Sequence, residues 1–99
     1  MFGNDIQKRI ERDFGTSAPS VSEQLEKFIE SFRAVTNNHP GDRIIRCIVH
    51  LASGKEEYLA HYIKAALGDP RDVMHWAEYD RDDRRVHDFN MRFPDFTED

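Results

Sequence analysis

Apolar residues fall in blocks along this chain, separated by polar breaks that carry glycine or proline, and within each block the spacing is helical. Phe2, Ile6, Ile10 and Phe14 recur every fourth residue, with Asn4 placed to cap and Gly15 to stop, which predicts a first helix over residues 4–14. The stretch TSAPS reads as a loop, and Ser20 with Glu23 makes a capping-box pair that opens a second helix over 21–36. Val21, Leu25, Phe28, Ile29, Phe32 and Val35 share roughly 120° of its circumference at 100° per residue, a clean amphipathic stripe.

NNHPGD breaks the chain again, and Asp42 can cap a third helix over 43–52. Its apolar positions, Ile44, Ile45, Cys47, Ile48, Val49, Leu51 and Ala52, cover roughly 200° and leave only Arg43, Arg46 and His50 for water. A helix so widely apolar must be packed on several sides, so it is expected at the centre of the fold. Ser53 and Glu56 offer another capping box for a fourth helix over 54–67, which buries Tyr58, Leu59, Tyr62, Ile63, Ala66 and Leu67. Gly68 suits the position after that helix, and Asp69 and Pro70 suit the cap and first turn of a fifth over 70–79, held by Val73, Trp76 and Ala77. Corners this tight stack successive helices as neighbours.

After Tyr79 the helical period stops. DRDDRR reads as a solvated loop, and Phe89, Met91 and Phe93 then alternate with Asn90 and Arg92 at the period of a strand. An extended apolar tail over 86–96 follows, which needs either a groove between helices or another chain to lie against. The fold class is therefore all-α: one domain over 1–99, a compact bundle of about five short helices with an extended C-terminal segment.

Composition narrows the function. Leu, Ile, Val and Phe together number 23 of 99 residues, enough for one small core. No apolar run approaches the roughly 18 residues of a membrane span, charges fill the place where a secretory signal has its apolar stretch, and Cys47 is the single cysteine. No membrane association and a reducing, cytoplasmic setting are the expectation. The net charge of −5 is unevenly placed: residues 1–68 hold nine acidic and nine Lys or Arg side chains, whereas residues 69–99 hold ten acids and five Arg.

That sign argues against nucleic acid, whose phosphates demand basic surfaces. The corner between the third and fourth helices would present Glu56 and Glu57 to a DNA backbone, and the Arg residues of the tail are interleaved with Asp. The five glycines stand singly at helix ends, so no phosphate-cradling loop exists.

Asp72, His75 and Glu78 step by three and so line one side of the fifth helix, where carboxylates and imidazole are suitable ligand types for a divalent metal or for a small hydrolase. The simpler reading is a solvated face, since acids near a helix N-terminus are favoured by its dipole whatever the function. Cys47, His50 and His61 form a sparser cluster, and a thiol on an apolar arc is ordinarily buried and inert. No catalytic residue and no cofactor are assigned, and an enzyme is not the expectation. Trp76, Tyr79, Phe89, Met91, Phe93 and Phe96 are aromatic or thioether residues of the kind that anchor interfaces. They sit in the acidic third of the chain. The sequence thus reads as a small acidic adaptor- or inhibitor-type domain that binds another protein, or a second copy of itself, through its C-terminal third.

Overall fold

Five α-helices form where the apolar spacing places them in the computed structural model, which describes residues 1–94: α1 (Asn4–Phe14), α2 (Ala18–Thr36), α3 (Asp42–Ala52), α4 (Glu56–Gly68) and α5 (Pro70–Glu78). Among the described residues there is no β-strand beyond one isolated bridge, so the fold is an all-α bundle. Phe96 and the end of the expected 86–96 tail lie outside the described residues.

The caps differ from the expected ones at four helix starts. At α3 and α4 the residues before the helix are Gly41 and Lys55, with Asp42 already helical and Ser53 donating back to the His50 and Leu51 carbonyls. Gly3 precedes α1 and its carbonyl accepts the N–H of Ile6 and of Gln7, so Asn4 is already helical. TSAPS is not a loop: a 3-10 turn, Gly15–Ser17, runs straight into α2, with Pro19 in the first turn where its missing N–H costs nothing. Ser20 is thereby inside the helix, and its hydroxyl donates to the Glu56 carboxylate instead of capping. Gln24 donates to the same carboxylate at 2.7 Å, which fastens the start of α4 to α2. Asp69 does cap as expected, accepting the Arg71 N–H at 3.0 Å with Pro70 in the first turn.

α3 is the centre of the bundle. Its Ile45, Cys47, Ile48, Val49 and Ala52 are wholly buried, and it packs most extensively against α4 and α5 while also meeting α1. Ile6 and Ile10 of α1 and Val21, Leu25 and Phe28 of α2 close the other side. The α3–α4 corner is tight enough that Gly54, at φ +79°, could not carry a side chain: a Cβ there would sit 2.7 Å from the Asp13 carbonyl oxygen.

Exposure corrects some of the expected core. Val35 is 81% exposed because the last turn of the 19-residue α2 is open to solvent. Tyr58 and Leu67 are exposed because they lie about 80–100° from the Leu59–Ala66 line that α4 buries, at 100° per residue.

The largest difference is at the end of the chain. DRDDRR closes as a hairpin turn rather than a loose loop: Tyr79 and Arg85 bridge, and the Asp80 carboxylate accepts the N–H of Asp82 at 2.8 Å and of Arg84 at 3.0 Å. From there residues 86–93 run back across α1, α3 and α5 as a strap. Phe89 and Phe93 are buried, but Met91 is 68% exposed, so the alternation does not produce a strand face. A strand needs a neighbour to take its backbone groups. Here a turn forms instead, with the Met91 N–H donating to the Asp88 carbonyl.

Candidate functional site

Two buried carboxylates supply what a neighbouring strand would have supplied. Asp5, at the start of α1, accepts a hydrogen bond from Arg46 of α3 at 2.9 Å and the backbone N–H of Phe93 at 3.0 Å. Arg46, one of the three residues expected to face water, is buried, and its guanidinium also donates to the Phe89 carbonyl at 3.0 Å. Burial would raise the Asp5 pKa, but the Arg46 and Phe93 hydrogen bonds and the charges of Arg46 and Arg92 outweigh it and hold the carboxyl below its ordinary value.

Glu78 does the same at the other end of the strap. Its carboxylate accepts from Arg43 at 2.6 and 3.1 Å, from Arg85 at 3.3 Å and from the Phe89 N–H at 3.0 Å, while its carbonyl accepts the N–H of Val86 at 2.7 Å. Its environment again sets burial, which raises the pKa, against Arg43, the Phe89 N–H and Arg85, and the balance lies below the ordinary value. Phe89 is thus held through both its N–H and its carbonyl, and Phe93 through its N–H.

The capture of Glu78 fixes the rotation of α5, and so decides what that helix shows to solvent. Asp72, His75 and Glu78 are not brought together. Each three-residue step falls about 60° short of a full turn, so the stripe drifts about 120° from first to last and carries Glu78 into the core. Asp72 and His75 stay outside. His75 instead stacks on Tyr79, centroids 5.1 Å apart, and lies 3.5 Å from Asp83 of the hairpin turn. Among the described residues no group of three His, Cys, Asp or Glu is arranged to hold a metal.

Trp76 is the second correction on this helix. It was expected to face the bundle, but Val73 and Ala77 make that contact with help from Met74, and Trp76 is 48% exposed with its ring edge-on to Tyr62 of α4 at 6.2 Å. The outward face of α5 therefore presents Asp72, His75, Trp76 and Tyr79 together, with Tyr62 and Asp83 at its borders. Of the other expected interface residues, Met91 is exposed on the strap and Phe89 and Phe93 pack into this domain's own core.

The Cys47, His50 and His61 set is also dispersed. Cys47 is fully buried, and burial, reinforced by the Glu78 charge, pushes its thiol up to about 12, far from a reactive thiolate. His61 lies on α4 against Tyr62. His50 turns the other way and meets the strap, its ring 4.8 Å from that of His87 and 4.9 Å from that of Phe89. A cleft of about 290 Å³ lined by Arg9, Asp13, His50, Ser53 and Gly54 opens beside it. Burial, then His87 and Arg9, lower the His50 pKa, with Asp13 opposing.

Neither a family model, nor a curated protein, nor a solved structure matches this chain. No helix of the described residues is long and apolar enough to cross a membrane.

Proposed function

We propose that this is an adaptor- or inhibitor-type protein-binding domain of the cytoplasm, which engages a basic partner through the outward face of α5. The observation that carries the reading is Trp76: a large aromatic side chain left half exposed, its ring edge-on to Tyr62, on a helix face that also presents Asp72 and Tyr79. Exposed indole and phenol faces attract Lys and Arg side chains, and nearby carboxylates strengthen the attraction and guide the approach. The single cysteine, free and buried, is compatible with a reducing compartment. The metal reading has no comparable support, because both carboxylate oxygens of Glu78 are taken up by Arg43, Arg85 and the Phe89 N–H.

The test is affinity capture from extract of the native host, comparing the wild type with Trp76→Ala and with Asp72→Lys, both at exposed positions. A basic protein retained at about 0.05 M salt should be released at about 0.5 M, where charge interactions are screened. Its retention should fall at least about tenfold in Trp76→Ala, the loss expected of a central aromatic anchor. Equal capture by all three chains, or self-association in sedimentation with no other protein bound, would defeat the reading.

A further inference from the structure

We infer that residues 86–93 form a strap that is closed at neutral pH and loosened by mild acid, with the contact between His50 of α3 and His87 of the strap as the sensor. The two imidazoles come from different elements, lie 4.8 Å apart and both pack on Phe89, the residue that seats the strap. Among the described residues no salt bridge engages either ring. Arg9 of α1 stands close by, its guanidinium 4.7 Å over the ring of Phe93, so the neighbourhood already holds one cation that grips the strap.

Charging both rings sets His50, His87 and Arg9 against one another at a junction where His50 and Arg9 are half-buried and His87 reaches solvent, so the repulsion is screened from the strap side only. The acid on that side, Asp13, is committed to Arg9 at 2.6 Å. Asp88, beside His87 in the strap, is held by Arg85 at 2.9 Å. The other charged groups at the strap are Asp5, which faces Arg46 and the strap's own Arg92, and Glu78, which faces Arg43 and Arg85.

The sign of the effect follows from His50. With its pKa lowered in the closed form from the ordinary 6.5, that form binds fewer protons than the open one. The stabilisation is therefore present above the ordinary imidazole pKa and is lost as pH falls below it. Asp5 and Glu78, whose pKa values are lowered carboxylate values, stay ionised throughout this range and contribute no change. Opening would uncover Phe89 and Phe93 together with the apolar surface of α1, α3 and α5 beneath them, so acid would give this domain a second, apolar face.

Amide hydrogen exchange of the whole chain tests this directly, because the N–H groups of Phe89 and Phe93 are the ones that the carboxylates hold. Between pH 7.5 and 5.5, after correction for the intrinsic pH dependence of exchange, their protection should fall at least about threefold. The Leu25 amide of α2 should not change. The His50→Gln/His87→Gln chain should lose the fall. In His87→Gln alone the His50 ring, followed by NMR, should titrate closer to the ordinary imidazole value. Unchanged protection in the wild type, an equal fall at Leu25, an equal fall in the double variant, or no movement of His50 in His87→Gln would each overturn the inference.

Discussion

Asp5→Ala is expected to unfold about 3–5 kcal/mol more easily than the wild type, the usual cost of removing one partner from a buried ion pair. The Arg46 and Asp5 side chains are only 7% and 3% exposed, so the guanidinium left behind cannot simply turn into water. The N–H of Phe93 loses its acceptor as well, and an orphaned buried donor costs about 1–3 kcal/mol of the same total. Against an ordinary domain stability of about 5–15 kcal/mol, this is enough to leave the variant marginal at physiological temperature. Urea denaturation checks it, and a loss below about 1 kcal/mol would mean that Arg46 finds another partner. The dependence on acid has a definite sign. Asp5 titrates below its ordinary 3.8, so the advantage of the wild type should be constant from pH 5 to 8 and shrink as pH falls through the region below about 4.

Glu78→Ala should cost about 2–4 kcal/mol, somewhat less, because Arg43 and Arg85 are each partly exposed and can turn to solvent. What remains is the cavity left by a fully buried side chain and an unpaired Phe89 N–H. Glu78→Gln keeps an acceptor of the same shape for that N–H and should recover part of the loss. The same denaturation series decides it: equal and negligible losses for the Ala and Gln chains would show that the carboxylate does not hold the strap. A further effect belongs to this residue. Because Glu78 anchors the C-terminal turn of α5, its removal should loosen the orientation of Trp76 and Tyr79 and weaken partner capture, although neither side chain touches it through a hydrogen bond.

Much of the bundle was legible because its signals are local. The fourth-residue steps in α1, the Asp69–Pro70 corner and the broad apolar arc of α3 each place an element without reference to anything distant. The site was less legible because it depends on which arc of α5 is buried. Choosing Trp76 as a partner to Val73 and Ala77 puts Glu78 in water. Choosing Met74, as the structure does, puts Glu78 inside and Trp76 outside. A large aromatic is the more tempting anchor, and nothing within the nine residues of this short helix breaks the tie.

Arg46 carried a signal that spacing alone undervalued. It lies among seven apolar neighbours on a helix that had to be covered on several sides, so its charge needed a buried partner rather than solvent. That partner, Asp5, lies 41 residues away, and no local pattern names it. The strap departs from a strand for a related reason: alternation of Phe89, Met91 and Phe93 specifies a strand only where another strand accepts its backbone hydrogen bonds. Two carboxylates from α1 and α5 accept them here instead, at positions four residues apart.

Residues 86–93 pack into the core through Phe89 and Phe93 and are tied there by Asp5 and Glu78, which leaves the outward face of α5 exposed. The most direct measurement is the exchange protection of the Phe89 and Phe93 amides in the isolated protein at pH 7.5. Protection at least about a hundredfold above that of an unstructured peptide, equivalent to about 2.7 kcal/mol of closing free energy, and reduced for Phe93 in Asp5→Asn and for Phe89 in Glu78→Gln, is what the structure requires. Exchange of both amides at the rate of a free peptide, with the helices still protected, would contradict it.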